Sequence, residues 1–551
     1  MLPRPDIFRS PRRSFGPIVA LTMSLLLLGL ASLPVLAQGR RQSRSQPGPQ
    51  AVHEAVHSWR LGHEAEILAE YREFLRLPDV ASDEVNIRHN AEHILAMLDR
   101  RGIAGRLLET PGAPPAVYAR VDAAGAERTI VFYAHYDGQP VDHSRWHSDP
   151  WEPVLRDGSL AEGARDVPFP DPATAAASGA RPVPLDPEWR IYARAASDDK
   201  APIMALLSAW DALAAAGLER SVNVVFFFEG EEEAGSPHVR TTLEHYRDLL
   251  AADAWLFCDG PVNQSRRAEV NFGVRGIVGV QMTVYGPARA LHSGHYGNWA
   301  PHPTVELIHL LASMRDEEGT VLVGGFYDTV RPVTDTERAA IARIPPVEEQ
   351  LITELALGRT EGGGARLPER IMAPAMNVSG FAAGGVGAEA KNAIPSEARA
   401  YVDFRLVPEL VPERVRELVE AHVRGMGFEI VHAEPSLEER RAQRKIIRLD
   451  WGEGYPAVRT SMELPVSRAL IATAREVAPD LLTVPTHGGS LPMYVFQDVL
   501  GVPLITLPIV NHDNNQHGPD ENLRLQNLWD GIAMFGQVLA RLGDNWEREI
   551  P

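Results

Sequence analysis

The sequence reads as an α/β protein: a mostly parallel sheet that carries the chemistry, with a separate α+β unit set into it. Three observations predict this. Thr129–Ala134 (TIVFYA) and Val222–Phe228 (VNVVFFF) are short and almost wholly apolar, as strands buried on both faces are. Helical patterns alternate with such runs, beginning with the Ala-rich segment Ala201–Leu213. From about Gly276 the pattern changes to strands at Ile277–Val284 and Ala398–Leu406, with a helix at His302–Met314 between them. Beyond about Leu449 the first pattern resumes, and Pro503–Val510 (PLITLPIV) reads as one more buried strand.

The 551 residues suffice for several domains. Hydrophobic residues at 44% and charged residues at 23% are globular values and exclude wholesale disorder. The one cysteine, Cys258, excludes a disulfide scaffold and a thiolate metal cluster; it ends a buried strand and reads as packing. With 54 Lys and Arg against 73 Asp and Glu, the net charge of −19 argues against nucleic acid as a partner. It also offers no basic face to an anionic membrane.

At the start, Arg4, Arg9, Arg12 and Arg13 precede an apolar run from Ile18 to Ala37, which closes on Pro34-Val35-Leu36-Ala37. A basic region, an apolar core and a small residue, in that order, predict a cleaved signal over 1–37 and a secreted or periplasmic protein. The alternative is an anchor retained at 18–37, since that run is long enough to span a bilayer. A polar linker is expected over 38–58. The parallel-sheet domain then occupies 59–273 and 446–551, and the α+β unit occupies 274–445. Residues 157–188, rich in Pro, Ala, Gly and Asp, read as a surface insertion.

Polar residues gather where the apolar strands end, which is where open α/β sheets collect their active groups. His135-Tyr136-Asp137-Gly138 follows the first strand; a carboxylate two residues from a histidine can orient a metal-binding ring. Ser197-Asp198-Asp199-Lys200 precedes the Ala201 helix, where an Asp is either an N-cap or a ligand able to bridge two metals. Glu229-Gly230-Glu231-Glu232-Glu233 follows the Val222 strand; adjacent acids there can divide ligation from proton transfer. Asp259 ends the next strand, and the last leads to His517-Gly518-Pro519-Asp520-Glu521. His135, Asp198, Glu233, Asp259 and His517 thus supply imidazole and carboxylate without thiolate, a donor set for a hydrolytic metal pair rather than a structural zinc.

Rival signals are weaker. His53-Glu54-Ala55-Val56-His57 matches H-E-x-x-H, but lies beside the polar linker with no downstream third ligand, and reads as an exposed first helix. Gly384-Gly385-Val386-Gly387 lacks the strand and helix of a dinucleotide site and reads as a turn. No G-x-S-x-G elbow occurs, which argues against a serine hydrolase.

From about Trp59 onward the sequence resembles the co-catalytic zinc metallopeptidases that include glutamate carboxypeptidase, carnosine-type dipeptidases, succinyl-diaminopimelate desuccinylase and acetylornithine deacetylase. The motifs just quoted carry the resemblance, together with His292-Ser293-Gly294 and Gly488-Gly489-Ser490-Leu491-Pro492. It implies two divalent ions, zinc by preference, with manganese or cobalt compatible. His135, Asp198 and Asp259 would hold one, and Asp198, Glu233 and His517 the other. Asp137 would support His135, and Glu232 would be the general base on a metal-bridging water. The sheet domain would be the catalytic domain and the α+β unit over 274–445 a lid or dimerisation domain; His292 would reach across a homodimer formed through that lid, and Arg405, Gly489 and Ser490 would bind substrate. The sequence departs from the family pattern at Ala193-Arg194-Ala195, where Gly-Arg-Gly is usual, and at His487, where Glu is frequent. The expected activity is hydrolysis of dipeptides or of C-terminal residues of short peptides. Deacylation of N-acyl amino acids is the alternative, and a catalytically silent binding homologue comes last.

Overall fold

Strands such as TIVFYAH and NVVFFFE, apolar at nearly every position, have no face to give to water, so the fold must cover both. In a computed structural model, which describes residues 48–177 and 184–549, they form the centre of an eight-stranded sheet. Its strands in chain order are β1 (Gly105–Leu108), β2 (Ala116–Val121), β3 (Thr129–His135), β4 (Asn223–Glu229), β5 (Ala254–Phe257), β6 (Glu269–Asn271), β7 (Leu482–Val484) and β8 (Leu504–Thr506). In space they run β1-β2-β4-β3-β5-β8-β6-β7. The central four, β4, β3, β5 and β8, are mutually parallel, while β2 joins β4 antiparallel. Their carboxyl ends therefore lie along one edge.

Alternate residues of these strands enter two cores. Ile130, Phe132, Val224 and Phe226 belong to one, and Val131, Tyr133, Val225 and Phe227 to the other. The first core is covered by the Ala-rich helix Lys200–Ala216 and the amphipathic C-terminal helix Leu525–Glu549. Glycine at 217 ends the Ala-rich helix in the left-handed conformation (φ 63°), the common stop signal for a helix. Among the described residues no helix is long and apolar enough to cross a membrane.

A second sheet has its own core. Its order is Ala375–Ala382, Glu397–Leu406, Gly276–Tyr285, Ile446–Trp451 and Glu429–Val431, antiparallel except for the last pair. Val278, Val280, Val402 and Phe404 face helices Pro303–Met314 and Pro412–Gly425. The alternate positions, including Asp403 and Arg405, occupy the opposite face. The fold is thus α/β with an inserted α+β unit.

Several boundaries differ from the sequence expectation. Ile446–Trp451 is a strand of the second sheet, paired with Val280–Tyr285, so the return to the catalytic sheet does not begin at 446. Val458–Arg459 pairs with Gly273–Val274 in a two-stranded sheet of its own, and the eight-stranded sheet resumes at Leu482–Val484. The expected linker over 38–58 is a helix from Pro49 to Gly62, whose Val52 and Val56 are buried against the C-terminal helix. Two valines one helical turn apart make an apolar stripe that the surrounding polar residues obscure. His53 and His57 stack on that helix as ordinary neighbours. The strand expected at Pro503–Val510 shortens to Leu504–Thr506. Part of the 157–188 insertion is built into a four-stranded sheet, where Asp166–Val167 pairs with Val154–Arg156. The signal over 1–37 lies outside the described residues.

Candidate metal centre

The donor side chains come from the carboxyl edge of the central strands. His135 is the last residue of β3, Glu232 and Glu233 sit in the turn after β4, and Asp259 follows β5. Asp198 lies in the loop before helix Lys200–Ala216, and His517 in the loop after β8. A third pairing brings the last two together. Arg190–Tyr192 pairs antiparallel with Asn522–Arg524, so the loops 193–199 and 513–521 lie side by side. Gly230 permits the turn after β4, since a β-carbon there would collide with the Tyr136 hydroxyl.

The donors form two groups, His135–Asp198–Asp259 and Asp198–Glu233–His517, with all donor atoms of each group within 4.8 Å of one another. Asp198 belongs to both. Its Oδ1 lies 3.0 Å from His135 Nε2 and its Oδ2 3.2 Å from His517 Nε2. Glu233 Oε2 is 3.2 Å from His517 Nε2, and Asp259 Oδ2 is 4.0 Å from His135 Nε2. The His517 side chain is 54% exposed while Asp198 is 7% exposed, so the centre opens to solvent on the His517 side.

Electrostatics define what such a centre needs. Burial, then repulsion from Asp198, pushes Glu233 up to about 8 and Asp259 up to about 6. Burial likewise holds Glu232 well above the usual carboxylate range, with Asp259 and Asp198 adding to the rise against His135. Burial alone would raise Asp198, but hydrogen bonds from His135 and His517 hold it below that range. Burial would lower His135, yet its bonds to Asp137 and Asp198 raise it well above an ordinary imidazole. Crowded, buried carboxylates of this kind are stabilised by cations. Oxygen and imidazole donors in two groups with a shared carboxylate fit a pair of divalent ions of the zinc type.

The expected supporting residues have definite places. Asp137 is fully buried; its Oδ1 lies 3.3 Å from His135 Nδ1, and its two oxygens accept the backbone amides of Glu232 (3.1 Å) and Glu233 (3.0 Å). One carboxylate thus steadies a donor of the first group and the turn that carries Glu232. Arg405 Nη1 donates to Ser490 Oγ at 2.9 Å, which joins the second sheet to the Gly489 segment. The Gly489 amide in turn donates to His487 Nδ1 at 3.1 Å. His292 belongs to neither donor group; it lies exposed on the short strand Leu291–His292, with the His295 ring tilted against it.

Sequence reasoning missed several residues that build the centre. Glu521 is fully buried and clamps the Asp198 loop. Its carboxylate accepts from the amides of Ala195, Ser197 and Asp198, the Ser197 hydroxyl and the Arg194 guanidinium, all between 2.7 and 3.0 Å. Lys200 is buried against Asp79 at 2.8 Å, and the Asp79 carbonyl accepts the Gly138 amide. Gln139 donates to Glu233 at 2.8 Å, and Gln516 to Asp198 at 3.2 Å. Glu521 stood within the quoted His517 motif; its position beside a ligand was the one available signal.

Against known proteins, residues 167–541 match Peptidase family M20/M25/M40. The chain belongs to this family. It is a metal-dependent hydrolase. The Cys-Gly metallodipeptidase DUG1 of Saccharomyces cerevisiae is 24% identical over 497 residues, 86% of this chain and 94% of that protein. Human Beta-Ala-His dipeptidase is 24% identical over 441 residues, 78% of each chain. Among solved structures, an M20 family metallo-carboxypeptidase from Sulfolobus solfataricus superposes with a TM-score of 0.66 at 27% identity, covering 87% of this chain and 99% of its own.

The Glu521 clamp is testable. A glutamine there keeps one acceptor but turns an amide N–H₂ toward groups that only donate. Glu521→Gln is expected to weaken zinc binding about 10- to 100-fold, the usual cost of losing outer support for metal ligands. Competition against a chromophoric chelator measures it; unchanged affinity would remove Glu521 from the account.

Proposed function

We propose that this hydrolase is a dipeptidase, or a carboxypeptidase of short peptides, working with two divalent ions, zinc by preference. His135, Asp198 and Asp259 would hold one ion, and Asp198, Glu233 and His517 the other. The observation that carries the reading is Asp198, whose two carboxylate oxygens face the two donor groups separately. The names of the relatives favour peptides over N-acyl amino acids. A divalent pair at such a site supplies Lewis acidity, polarising a carbonyl oxygen and lowering the pKa of water toward about 7.

The rest of the chemistry falls to side chains. Glu232 lies beside the donor groups without belonging to either, and burial raises its affinity for a proton. It takes the proton of the attacking water and passes it to the leaving amine. Asp137 holds the Glu232 amide and so fixes where that carboxylate stands. Arg405, with Ser490 as its neighbour, offers a guanidinium fork to a substrate carboxylate.

His292 completes the reading in a homodimer. Its Nδ1 accepts the Gly294 amide at 3.1 Å, so in the neutral ring the proton resides on Nε2 as an outward donor. The same unit exposes Trp299 (80%), Val305, Ile308, Val378 and Phe381, apolar surface suited to a second copy. The donated His292 would stabilise the oxyanion of the partner's site.

One experiment tests base and donor together. Glu232→Gln should keep its metal and lose about 10²- to 10⁴-fold in turnover. His292→Ala should lose about 10²- to 10³-fold, also with metal retained. Mixed after subunit exchange, the two inactive chains should regain activity, since one hybrid site then has both groups intact. No recovery despite proven exchange, or a fully active monomer, contradicts the donated histidine; full activity of Glu232→Gln contradicts the base.

We also infer secretion, or export to a periplasm, from the basic, apolar and small-residue order of 1–37. The mass of the native protein should correspond to a start at Gln38. An intact amino terminus would instead support the anchor at 18–37.

A further inference from the structure

A cavity of about 820 Å³ lies in the α+β unit, outside both donor groups. That size is within the range of small-molecule sites, about 300–1,000 Å³. Its apolar wall includes Leu351, Ile352, Leu355, Leu367 and Ile371. Its polar lining includes Arg275, which is only 8% exposed.

Arg275 is the one buried guanidinium of the lining. Of the half-buried others, Arg315 pairs with Glu361 and Arg366 with Glu348, while Arg370 donates to the Glu318 carbonyl. Among the described residues Arg275 has no carboxylate within ion-pair distance. Its Nη2 donates to the Ala373 carbonyl at 2.9 Å, and its buried Nε has no partner. Burial, then the charge of Arg405, pulls its pKa down to about 10, which still leaves it cationic at neutral pH. A buried cation lacking an anion is costly, and a bound carboxylate would offset that cost.

The cavity adjoins the substrate segment. The Arg275 amide donates to the Gly489 carbonyl at 3.0 Å, and Ile371 lies against Gly488. Two lining residues, Ala375 and Asn377, stand directly opposite Arg405 and Asp403 in the sheet, on the face turned away from that unit's own core. The cavity therefore borders the strand that carries Arg405 and the segment that carries Ser490.

We propose that this cavity is a specificity pocket for the carboxyl-terminal residue of a peptide substrate, seating a large apolar side chain against Ile352 and its neighbours while Arg275 shares with Arg405 the carboxylate of that residue. The proposal rests on the peptide-hydrolase reading for its substrate class. A pocket of this size and polarity selects Phe or Leu over Gly at that position, because an unfilled apolar pocket contributes nothing to transition-state binding.

Two measurements test it, one of them independent of turnover. The first is the ratio of kcat/KM for Ala-Phe to that for Ala-Gly on zinc-loaded protein. It should exceed about 10 in the native protein and fall at least about 10-fold in Ile352→Glu, a change on a half-exposed helix. The second is binding of 3-phenylpropionate by calorimetry. Affinity should drop about 10-fold or more in both Ile352→Glu and Arg275→Gln, with Arg275→Lys recovering part of it. If no dipeptide is turned over, the peptide-hydrolase reading fails and the binding arm alone decides the pocket. Absence of binding, or binding that neither substitution weakens, overturns the pocket whatever the turnover. A Phe-to-Gly ratio that Ile352→Glu leaves unchanged overturns it as well.

Discussion

The centre depends on keeping one buried carboxylate charged. Asp198 is 7% exposed, and burial by itself would protonate it. Imidazoles on both sides reverse that. His135 and His517 each contact a different oxygen, while Glu521 takes the backbone amides of Ala195, Ser197 and Asp198. Glu521 is itself buried and is stabilised by the Arg194 guanidinium at 2.7 Å. The geometry of both donor groups follows from this arrangement, since each contains Asp198.

The sheet supplies the rest. Four parallel strands put His135, Glu232 and Glu233, Asp259 and the His517 loop at one edge, although the chain separates the first and last by hundreds of residues. No local segment makes the site. It exists only once β3 lies between β4 and β5, with β8 beside β5. The same edge receives the second sheet through Arg405 and Ser490, so residues outside the catalytic sheet reach the region where a substrate would sit.

Much of this was legible in the sequence because the chemistry restricts residue types. Only certain side chains bind divalent metals, and they stood directly after apolar strands. The groups that hold the ligands were less legible. Glu521, Lys200 and Asp79 look like surface polar residues until the fold buries them together. Their roles are defined by partners far away in the chain, and no spacing encodes that. The first helix was expected at His53–His57, but its reach from Pro49 and its buried side were not, because two valines among polar residues are a faint apolar stripe. Ile446–Trp451 was assigned to the wrong sheet because an apolar strand does not name its neighbour. The cavity over 346–377 was invisible for the same reason, since short helices and turns with no strong pattern form its wall.

The central claim is that one carboxylate serves two metals. Metal content after zinc reconstitution and desalting, compared between the native protein and Asp198→Asn, tests it most directly. The account expects about two ions per native chain and less than one in the variant, because both donor groups lose their common member. A variant that retains one full, tightly held ion, or an active native enzyme that holds only one, would contradict it.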